Sequence, residues 1–592
     1  MKIKYLDGYR LYNAIKAGSE AVIENQDYLN KINVFPVPDA DTGTNMASTM
    51  RSILETSNVY TSFNKTILSV ADSALIGARG NSGIIFAQFI HGLSQELKNQ
   101  QKVTTETFAR SVNNAIKYVY NSILDPVEGT IITVMKDWAK AIQTNSKKTK
   151  DFVSLLSNAL KDAKLSLQNT PKQLQVLADA GVVDAGANGF VDFLEGISNF
   201  IHQGKLRRIQ QNEYNTIAVD HNIEYVFDPD SLRYCSEAII TNSQLDLKTL
   251  QQELKQFGNS MIAAGSPEKI HLHIHTNHPD QLFHRVSEIG SISKIKVDDM
   301  LMQYRVSHER KYPIALITDS ACDLPQNMIE KYQILQIPFN INFGDTPYLD
   351  KLTINADRFY KKLQTDAIHP KSSQPSLKTV QNLYSFLSAH YKKIMAIHIS
   401  DKLSGLYKIS KQMEKNFQEN EITVFNSKQL TVSEGLVVLR TAMAIEAGMT
   451  FEDLNTKVAD WIEKTDIFVD VDTLKYMVRG GRVSPLKGMI ATALNLKPIV
   501  TLDEDGKATA AGKSFSRRGN MKKILELLNK KTENRKIWNY AIVHADAESR
   551  AQIYAEKLTK IIGKEPAYIM ELSPVVGVHN GIGAVGIGIM EE

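Results

Sequence analysis

Asn33-Val34-Phe35-Pro36-Val37-Pro38-Asp39-Ala40-Asp41-Thr42-Gly43-Thr44-Asn45-Met46 is the stretch from which the rest of the chain is read. Two carboxylates one residue apart can converge on a hard cation, and the Gly, Thr and Asn that follow can offer donors to phosphate where a helix begins. The competing use of such a segment is an Asx-turn and helix cap, the commoner fate of Asp-rich turns. Around it run apolar-periodic stretches, Gly8 to Glu24, Lys65 to Ile76, Gly83 to Lys98 and Phe152 to Ser166, whose spacing predicts helices joined by Gly-, Asp- and Asn-rich connections. Residues 1–205 therefore read as an all-α domain.

At 592 residues the chain exceeds what one hydrophobic core organises, and its composition, 43% hydrophobic and 23% charged, is that of a globular multidomain protein. Sixty-nine Lys and Arg against 65 Asp and Glu leave a formal charge of +4, with the basic residues scattered, so no nucleic-acid partner is expected. Cys235 and Cys322 are the two cysteines, too few for a disulfide framework. No apolar run is long enough to span a bilayer, and a reducing, cytoplasmic setting is expected.

Three further segments of the helical region are rich in Gly and small polar residues: Ala78-Arg79-Gly80-Asn81-Ser82-Gly83, Pro126-Val127-Glu128-Gly129-Thr130, and Ala180-Gly181-Val182-Val183-Asp184-Ala185-Gly186-Ala187-Asn188-Gly189. With the Asp39-Ala40-Asp41 stretch they resemble the nucleotide-binding domain of the dihydroxyacetone kinase family, and most closely the kinase component of bacterial fatty acid kinases. That resemblance implies a helical barrel with Mg-ATP at its mouth. Asp39 and Asp41 would be the magnesium ligands and part of the catalytic apparatus. Thr44, Asn45, Ser82, Gly83, Gly129 and Thr130 would surround the phosphates, and Asp184 and Gly186 would complete the nucleotide site. The sequence departs from the family pattern at Ala40, where Gly is general, and at Ala187-Asn188, where Gly-Gln is common.

From 215 to 308 the pattern changes to short β-rich runs, Tyr234 to Thr241 and Ile270 to His275, alternating with helical stretches such as Leu247 to Phe257, which predicts an α+β module. His271, His273 and His275 fall on one face of a strand, and Cys235 lies on another, so Cys235, His273 and His275 can assemble a zinc site of mixed sulfur and nitrogen ligands. A His-x-His strand facing solvent, or satisfying core hydrogen bonds, is the alternative. The segment is similar to the middle domain of the same kinase component, where such Cys and His residues bind zinc. That implies a structural or interdomain role for the metal.

Beyond 312, strands expected at Ile314 to Ile317, Ile394 to Ile399, Ile422 to Phe425, Ile467 to Val471 and Tyr540 to Val543 alternate with helices, an α/β region with a parallel sheet. Polar groups cluster after the first strand at Thr318-Asp319-Ser320-Ala321-Cys322-Asp323, the end at which open α/β sheets place ligands, though a strand followed by a capping Asp or Ser is routine. Lys371-Ser372-Ser373-Gln374-Pro375-Ser376, Ser400-Asp401-Lys402-Leu403-Ser404-Gly405, Arg479-Gly480-Gly481-Arg482 and Gly577-Val578-His579-Asn580-Gly581 follow in order. This set resembles the DegV family of fatty-acid-binding proteins over residues 312–592. It implies a two-lobed α/β fold in which an apolar tunnel takes the acyl chain. Ser372, Ser404, Gly405, His579 and Arg479 would surround the carboxylate, with Arg482 placed towards the transferring phosphate as a catalytic residue.

The resemblances together imply a fatty acid kinase with both functions on one polypeptide, ATP and Mg2+ as cofactors, a structural Zn2+, and acyl phosphate as product for phospholipid synthesis. Its implied partners are the fatty acid, a second copy in a homodimer, acyltransferases that use acyl phosphate, and transient contact with a membrane surface. Two other readings stand beside it: a dihydroxyacetone-type kinase, and a non-catalytic lipid carrier or sensor whose nucleotide domain switches conformation.

Overall fold

Asp7 opens the first long helix by accepting the N–H of Arg10, and Gly8–Glu24 follows. The structure, a computed structural model, describes residues 2–36, 41–203, 232–481, 497–533 and 535–592. Asp39 and Arg482, both singled out above, lie outside the described residues. After the first helix come Thr42–Thr56, Phe63–Gly77, Gly80–Glu96, Thr105–Ser122, Ile131–Ser146, Phe152–Gln168 and Ala185–Gln203. Thr104 caps one of them through the N–H of Thr107, and Asp151 another through Val153 and Ser154. Each of these helices packs on the next, and the last returns to the first, closing a ring. The closure depends on small residues: a Cβ on Gly18 would stand 2.6 Å from the Phe193 ring, and one on Gly196 2.5 Å from the carbonyl oxygen of Ala17. Inside the ring Phe86 meets Phe193 edge to face at 4.9 Å between centroids, and Trp138 meets Phe190 at 5.7 Å. Burying a Phe ring stabilises by about 1.5–3 kcal/mol, so these aromatics anchor the barrel.

The helices share one compact unit, Met1–Tyr304, with a four-stranded sheet. Its strand order is Asn259–Ser266, Lys269–Thr276, Tyr234–Thr241, Ser291–Asp299, and every neighbouring pair is antiparallel. Alternation along Lys269–Thr276 divides the faces. Ile270, Leu272 and Ile274 join a core with Leu250, Leu254, Leu282 and Phe283, from the helices Leu247–Leu254 and Pro279–Ile289. The other face meets the ring, where Ile262 and Ala264 enter the helical core, His271 Nδ1 lies 2.7 Å from the Leu75 carbonyl, and the Gly265 N–H donates to Gln88 at 2.8 Å. The central strand Lys269–Thr276 is buried almost throughout, yet its positions on the ring side are His271, His273 and His275 rather than apolar residues.

The second unit, Arg305–Glu592, contains three sheets among the described residues. Glu421–Asn426, Lys393–His398, Ile314–Asp319 and Leu335–Ile337 form a parallel sheet in that order. Thr346–Leu349, Asn340–Phe343 and Lys371–Ser373 form a small antiparallel one. Thr465–Asp470 and Ile537–His544, expected in a parallel sheet, instead flank Val585–Glu591 antiparallel in a separate six-stranded sheet. The physical reason is that central strand. Its glycines let a helix come close: a Cβ on Gly588 would lie 2.8 Å from the backbone nitrogen of Ser433, in the helix Thr431–Glu446. Among the described residues no helix is long and apolar enough to cross a membrane.

Candidate functional site

Asp41 precedes the helix Thr42–Thr56, and its carbonyl accepts the N–H of Asn45 at 2.8 Å. Its carboxylate makes no cap bond to that helix. The Gly-rich segments converge here through close approaches that only a missing side chain allows. Gly80, at φ +56°, opens the helix Gly80–Glu96, and a Cβ on it would lie 2.4 Å from Asn45 Nδ2. A Cβ on Gly186 would lie 2.4 Å from the Ser82 hydroxyl, and one on Gly83 2.6 Å from that of Thr49. Behind Ser82, the buried carboxylate of Asp184 accepts the N–H of Ala187 at 2.7 Å and also that of Ile131, tying the starts of Ala185–Gln203 and Ile131–Ser146 together. Burial pushes Asp184 up to about 6 against these hydrogen bonds. The Gly129 N–H donates to Thr133 at 2.9 Å and the Thr130 hydroxyl to the Val127 carbonyl at 2.8 Å, which fixes the turn before Ile131.

A pocket opens at this junction, lined among the described residues by Asn33, Phe35, Pro36, Asp41, Thr42, Asn45, Gly80, Asn81 and Ser82 from the helical part. From the sheet come Cys235, Glu237, His273, His275, Lys296 and Asp298, with Met300 and Gln303 beyond it. Asn81 Oδ1 is buried there without a hydrogen-bond partner. Thr44, expected near the phosphates, does not line the pocket; its N–H donates to Asn30 Oδ1, and its hydroxyl accepts from Asn30 Nδ2, both at 3.0 Å. Gly83, Gly129, Thr130, Asp184 and Gly186 also stand outside the lining and shape it from behind.

The strand register explains the sheet side of the pocket. Cys235 pairs with His275 on one side and Asp298 on the other, and Glu237 pairs with His273 and Lys296. Cys235, His273 and His275 offer ligand atoms that all lie within 4.8 Å of one another, with Cys235 Sγ 3.7 Å from His273 Nδ1. The set fits a zinc ion, for which sulfur and nitrogen donors are apt. Burial, aided by His273, lowers His275 to about 3, so it stays neutral as a ligand must. His273 Nε2 is buried with no partner in the protein. Burial and then Glu237 hold the Cys235 thiol well above its ordinary range, and Asp41 adds to the effect, so a thiolate here needs a cation beside it. His271 stands apart from the cluster, committed to Leu75.

Glu237, Lys296 and Asp298 were not singled out from the sequence. The signal was present in the period of two, since Glu237 follows Cys235 onto the same face, but its meaning depends on the register with His273. Burial opposes ionisation of Glu237, yet Lys296 and then His273 hold it well below the usual carboxylate range. Lys296 pairs with Asp298.

In the second unit the polar residues after the first parallel strand are committed to structure. Asp319 accepts from the Ile399 N–H at 3.0 Å and faces His398 at 3.1 Å, while Asp323 accepts the Ser573 N–H at 3.1 Å and pairs with Lys351 at 3.0 Å. A different group comes together at the expected carboxylate site. Ser372 Oγ is 2.9 Å from His579 Nε2, at the end of the helix Pro574–Asn580. Gly480 packs against the same ring, where a Cβ on it would lie 2.1 Å from His579 Nδ1, so the Arg479-Gly480 turn is beside the pair. Gly405 lies against Gln374, two residues beyond Ser372, and Ser404 Oγ accepts the Leu406 N–H at 3.2 Å. Gln374 entered the sequence reading only as part of the Lys371–Ser376 motif, and His369, whose ring is 5.9 Å from that of Tyr476 and whose Nε2 is buried without a partner, was not singled out.

Three family models match the chain: the DAK2 domain over residues 36–199, the middle domain of FakA-like fatty acid kinases over 231–307, and the DegV family of uncharacterised proteins over 313–592. An uncharacterized protein of Staphylococcus haemolyticus is 31% identical over 315 residues, which are 51% of this chain and 57% of that protein. A counterpart in Staphylococcus aureus strain USA300 is 30% identical over the same shares. The chain thus spans about half the length of these curated relatives, 57%. Among solved structures, a DegV family protein from Thermus thermophilus, described as binding fatty acid, is 26% identical, with 47% of this chain and all of that chain covered at a TM-score of 0.44. DegV of Bacillus subtilis, a fatty acid binding protein, is 26% identical with 48% and 100% covered at the same TM-score, 0.44.

Proposed function

From a chain that joins a DAK2 domain, a FakA-like fatty acid kinase middle domain and a DegV family domain, we propose a fatty acid kinase that forms acyl phosphate from ATP and a bound fatty acid. The observation that carries the reading is the convergence of Asp41, Asn45, Gly80, Asn81 and Ser82 on one pocket, with Gly186 packed behind Ser82. The proposed domains are 1–205 for Mg-ATP, 215–308 for the metal-bearing sheet and 312–592 for the acyl chain.

Asp41, with Asp39 before it, would hold magnesium, which would supply neutralisation of the charge that develops on the transferring phosphoryl group. Asn45 and the Gly80-Asn81-Ser82 turn then orient the polyphosphate, and the ring of helices behind Ser82 keeps the turn in place. A fatty acid carboxylate is already ionised at neutral pH, so no general base is required. One carboxylate oxygen attacks the γ-phosphorus in line, the bond from that phosphorus to the β–γ bridging oxygen breaks, and ADP leaves with the electron pair.

On the acyl side, burying each methylene contributes about 0.8 kcal/mol, so the chain supplies affinity and the polar cluster supplies orientation. Ser372, Ser404, His579 and Arg479 are assigned to the carboxylate, and Arg482 to the phosphate. Tethering raises the effective concentration of the carboxylate at the nucleotide to around millimolar for a short linker, within one chain or across a homodimer. Acyltransferases that consume acyl phosphate for phospholipid synthesis are the natural acceptors.

The test is to incubate the protein with labelled ATP and oleate and trap acyl phosphate with hydroxylamine. Hydroxamate should form with the wild type and vanish with Asp41→Asn and with Ser404→Ala. ATP consumption that depends on dihydroxyacetone instead, or binding of both ligands without turnover, would refute the assignment.

A further inference from the structure

Glu237 touches both walls of the pocket. Its Oε1 accepts the Gly80 N–H at 2.8 Å and lies 3.3 Å from His273 Nδ1, while its Oε2 is 3.8 Å from Arg79 Nη1. On the helical side, Gly80 opens the turn that carries Asn81 and Ser82 into the pocket, and it packs beside Asn45 with no room for a side chain between them. On the sheet side, His273 belongs to the Cys235, His273 and His275 set that fits a metal. A buried carboxylate hydrogen-bonded to a metal-ligand imidazole fixes the ring and tunes the ligand, and its bond to a backbone N–H is of the strong, charge-assisted kind. One side chain therefore sets the position of a metal ligand and of the phosphate turn together.

We propose that Glu237 is a positioning residue that couples metal occupancy at Cys235, His273 and His275 to nucleotide binding at the Asp41 pocket. A cation held by His273 fixes the imidazole against Glu237, Glu237 fixes the Arg79-Gly80 backbone, and Asn45, Asn81 and Ser82 follow. The zinc-type site is then an effector site for the kinase pocket rather than a remote staple. This rests on the nucleotide reading of the pocket. By linkage, whatever factor the metal adds to nucleotide affinity, the nucleotide adds to metal affinity. Were Glu237 simply the counter-charge of Lys296 and Arg79, the two ligands would bind independently.

The experiment uses the full chain, stripped with a zinc chelator and reloaded. Calorimetry gives the Kd of Mg-ADP with and without zinc, and competition against a chromophoric chelator gives the zinc Kd with and without Mg-ADP. For the wild type, zinc should tighten Mg-ADP by about 5-fold or more, and Mg-ADP should tighten zinc by the same factor. In Glu237→Asp, whose shorter side chain cannot span Gly80 and His273, both ligands still bind and the factor falls towards one. Glu237→Gln, which keeps the length and loses the charge, should also lose most of the coupling. Equal Mg-ADP affinity at both zinc levels in the wild type overturns the inference, whatever the variants do, as does coupling that survives in both. A protein that binds zinc but no Mg-ADP at either level removes the nucleotide reading itself, and the inference with it.

Discussion

Asp184 offers a test of the pocket's scaffold in which the magnitude can be worked in advance. The residue is 5% exposed, and its carboxyl spans the starts of two helices through the N–H groups of Ala187 and Ile131 and is raised by burial from an ordinary 3.8 to about 6. The folded protein therefore keeps this proton up to about pH 6, where the unfolded chain has released it near pH 4. The stability belonging to the protonated group is full below the unfolded value and is lost as pH rises through the folded one. At 1.36 kcal/mol per pH unit the gap amounts to about 3 kcal/mol. Asp184→Asn keeps an oxygen for both N–H donors and removes the titration. The variant should match the wild type near pH 4 and exceed it by about 3 kcal/mol at pH 7. Because the chain has two units, the signal must come from one of them. Of the three tryptophans, Trp138 lies in the first unit, so Trp461→Phe and Trp538→Phe in both proteins isolate it. Urea titrations at pH 4.5, 5.5 and 7, followed by Trp138 fluorescence, then give the difference directly. A gap between variant and wild type that does not widen with pH would refute the burial-raised ionisation of Asp184.

Two further substitutions probe the sites themselves. In Gly186→Ala the new methyl would stand 2.4 Å from the Ser82 hydroxyl, which has to rotate out of its place; overpacking of this kind costs about 1–3 kcal/mol, and Mg-ADP affinity should fall about 10-fold by calorimetry. Unchanged nucleotide affinity would mean that Ser82 does not face the ligand. In Ser372→Ala the partner of His579 at 2.9 Å is lost, together with the hydroxyl proposed to donate to the carboxylate. A hydrogen bond to a charged group is worth about 1.5–3 kcal/mol, so oleate should bind on the order of 10- to 100-fold more weakly in a fluorescent fatty-acid displacement assay, with Mg-ADP binding as the unaffected control. Equal oleate affinity would remove Ser372 from the head-group site.

What the sequence made legible follows the range of the interaction. Asp41 and its neighbours are local: carboxylates, Gly and Asn within a few residues suggest a phosphate turn, and in the structure that carboxylate does not cap the helix it precedes. The three histidines are local too, since alternation puts them on one face of Lys269–Thr276. What alternation does not contain is the register. Pairing of Glu237 with His273, and of Cys235 with His275, is what makes a metal cluster out of two members of the series and leaves His271 to Leu75. The closeness of Gly186 to Ser82 is likewise a contact between helices about a hundred residues apart, and it entered through resemblance, not through spacing. Val585–Glu591 escaped for a different reason. Gly586 and Gly588 weaken a strand in isolation, and only the helix at Ser433 turns their missing side chains into a requirement.

The same distinction bears on the middle sheet. Read by itself, a strand carrying Cys and His suggests a metal that holds a small domain together, because a modest core needs a staple. Here the sheet has its own apolar layer in Leu250, Leu254, Leu272, Leu282 and Phe283, all almost fully buried, and so does not need the metal for that purpose. The histidine face is turned instead to the helices, and its polar groups share a pocket with Asp41, Asn81 and Ser82. Buried histidine and glutamate beside a half-buried cysteine, on a face that could have been packed with Ile and Val, would be a costly way to join two layers, since each polar group forfeits water on burial. The expense is intelligible if those groups position something in the pocket, which is why, on the proposed reading of the pocket as a nucleotide site, the strand bearing Glu237 belongs to its chemistry as much as to the fold around it.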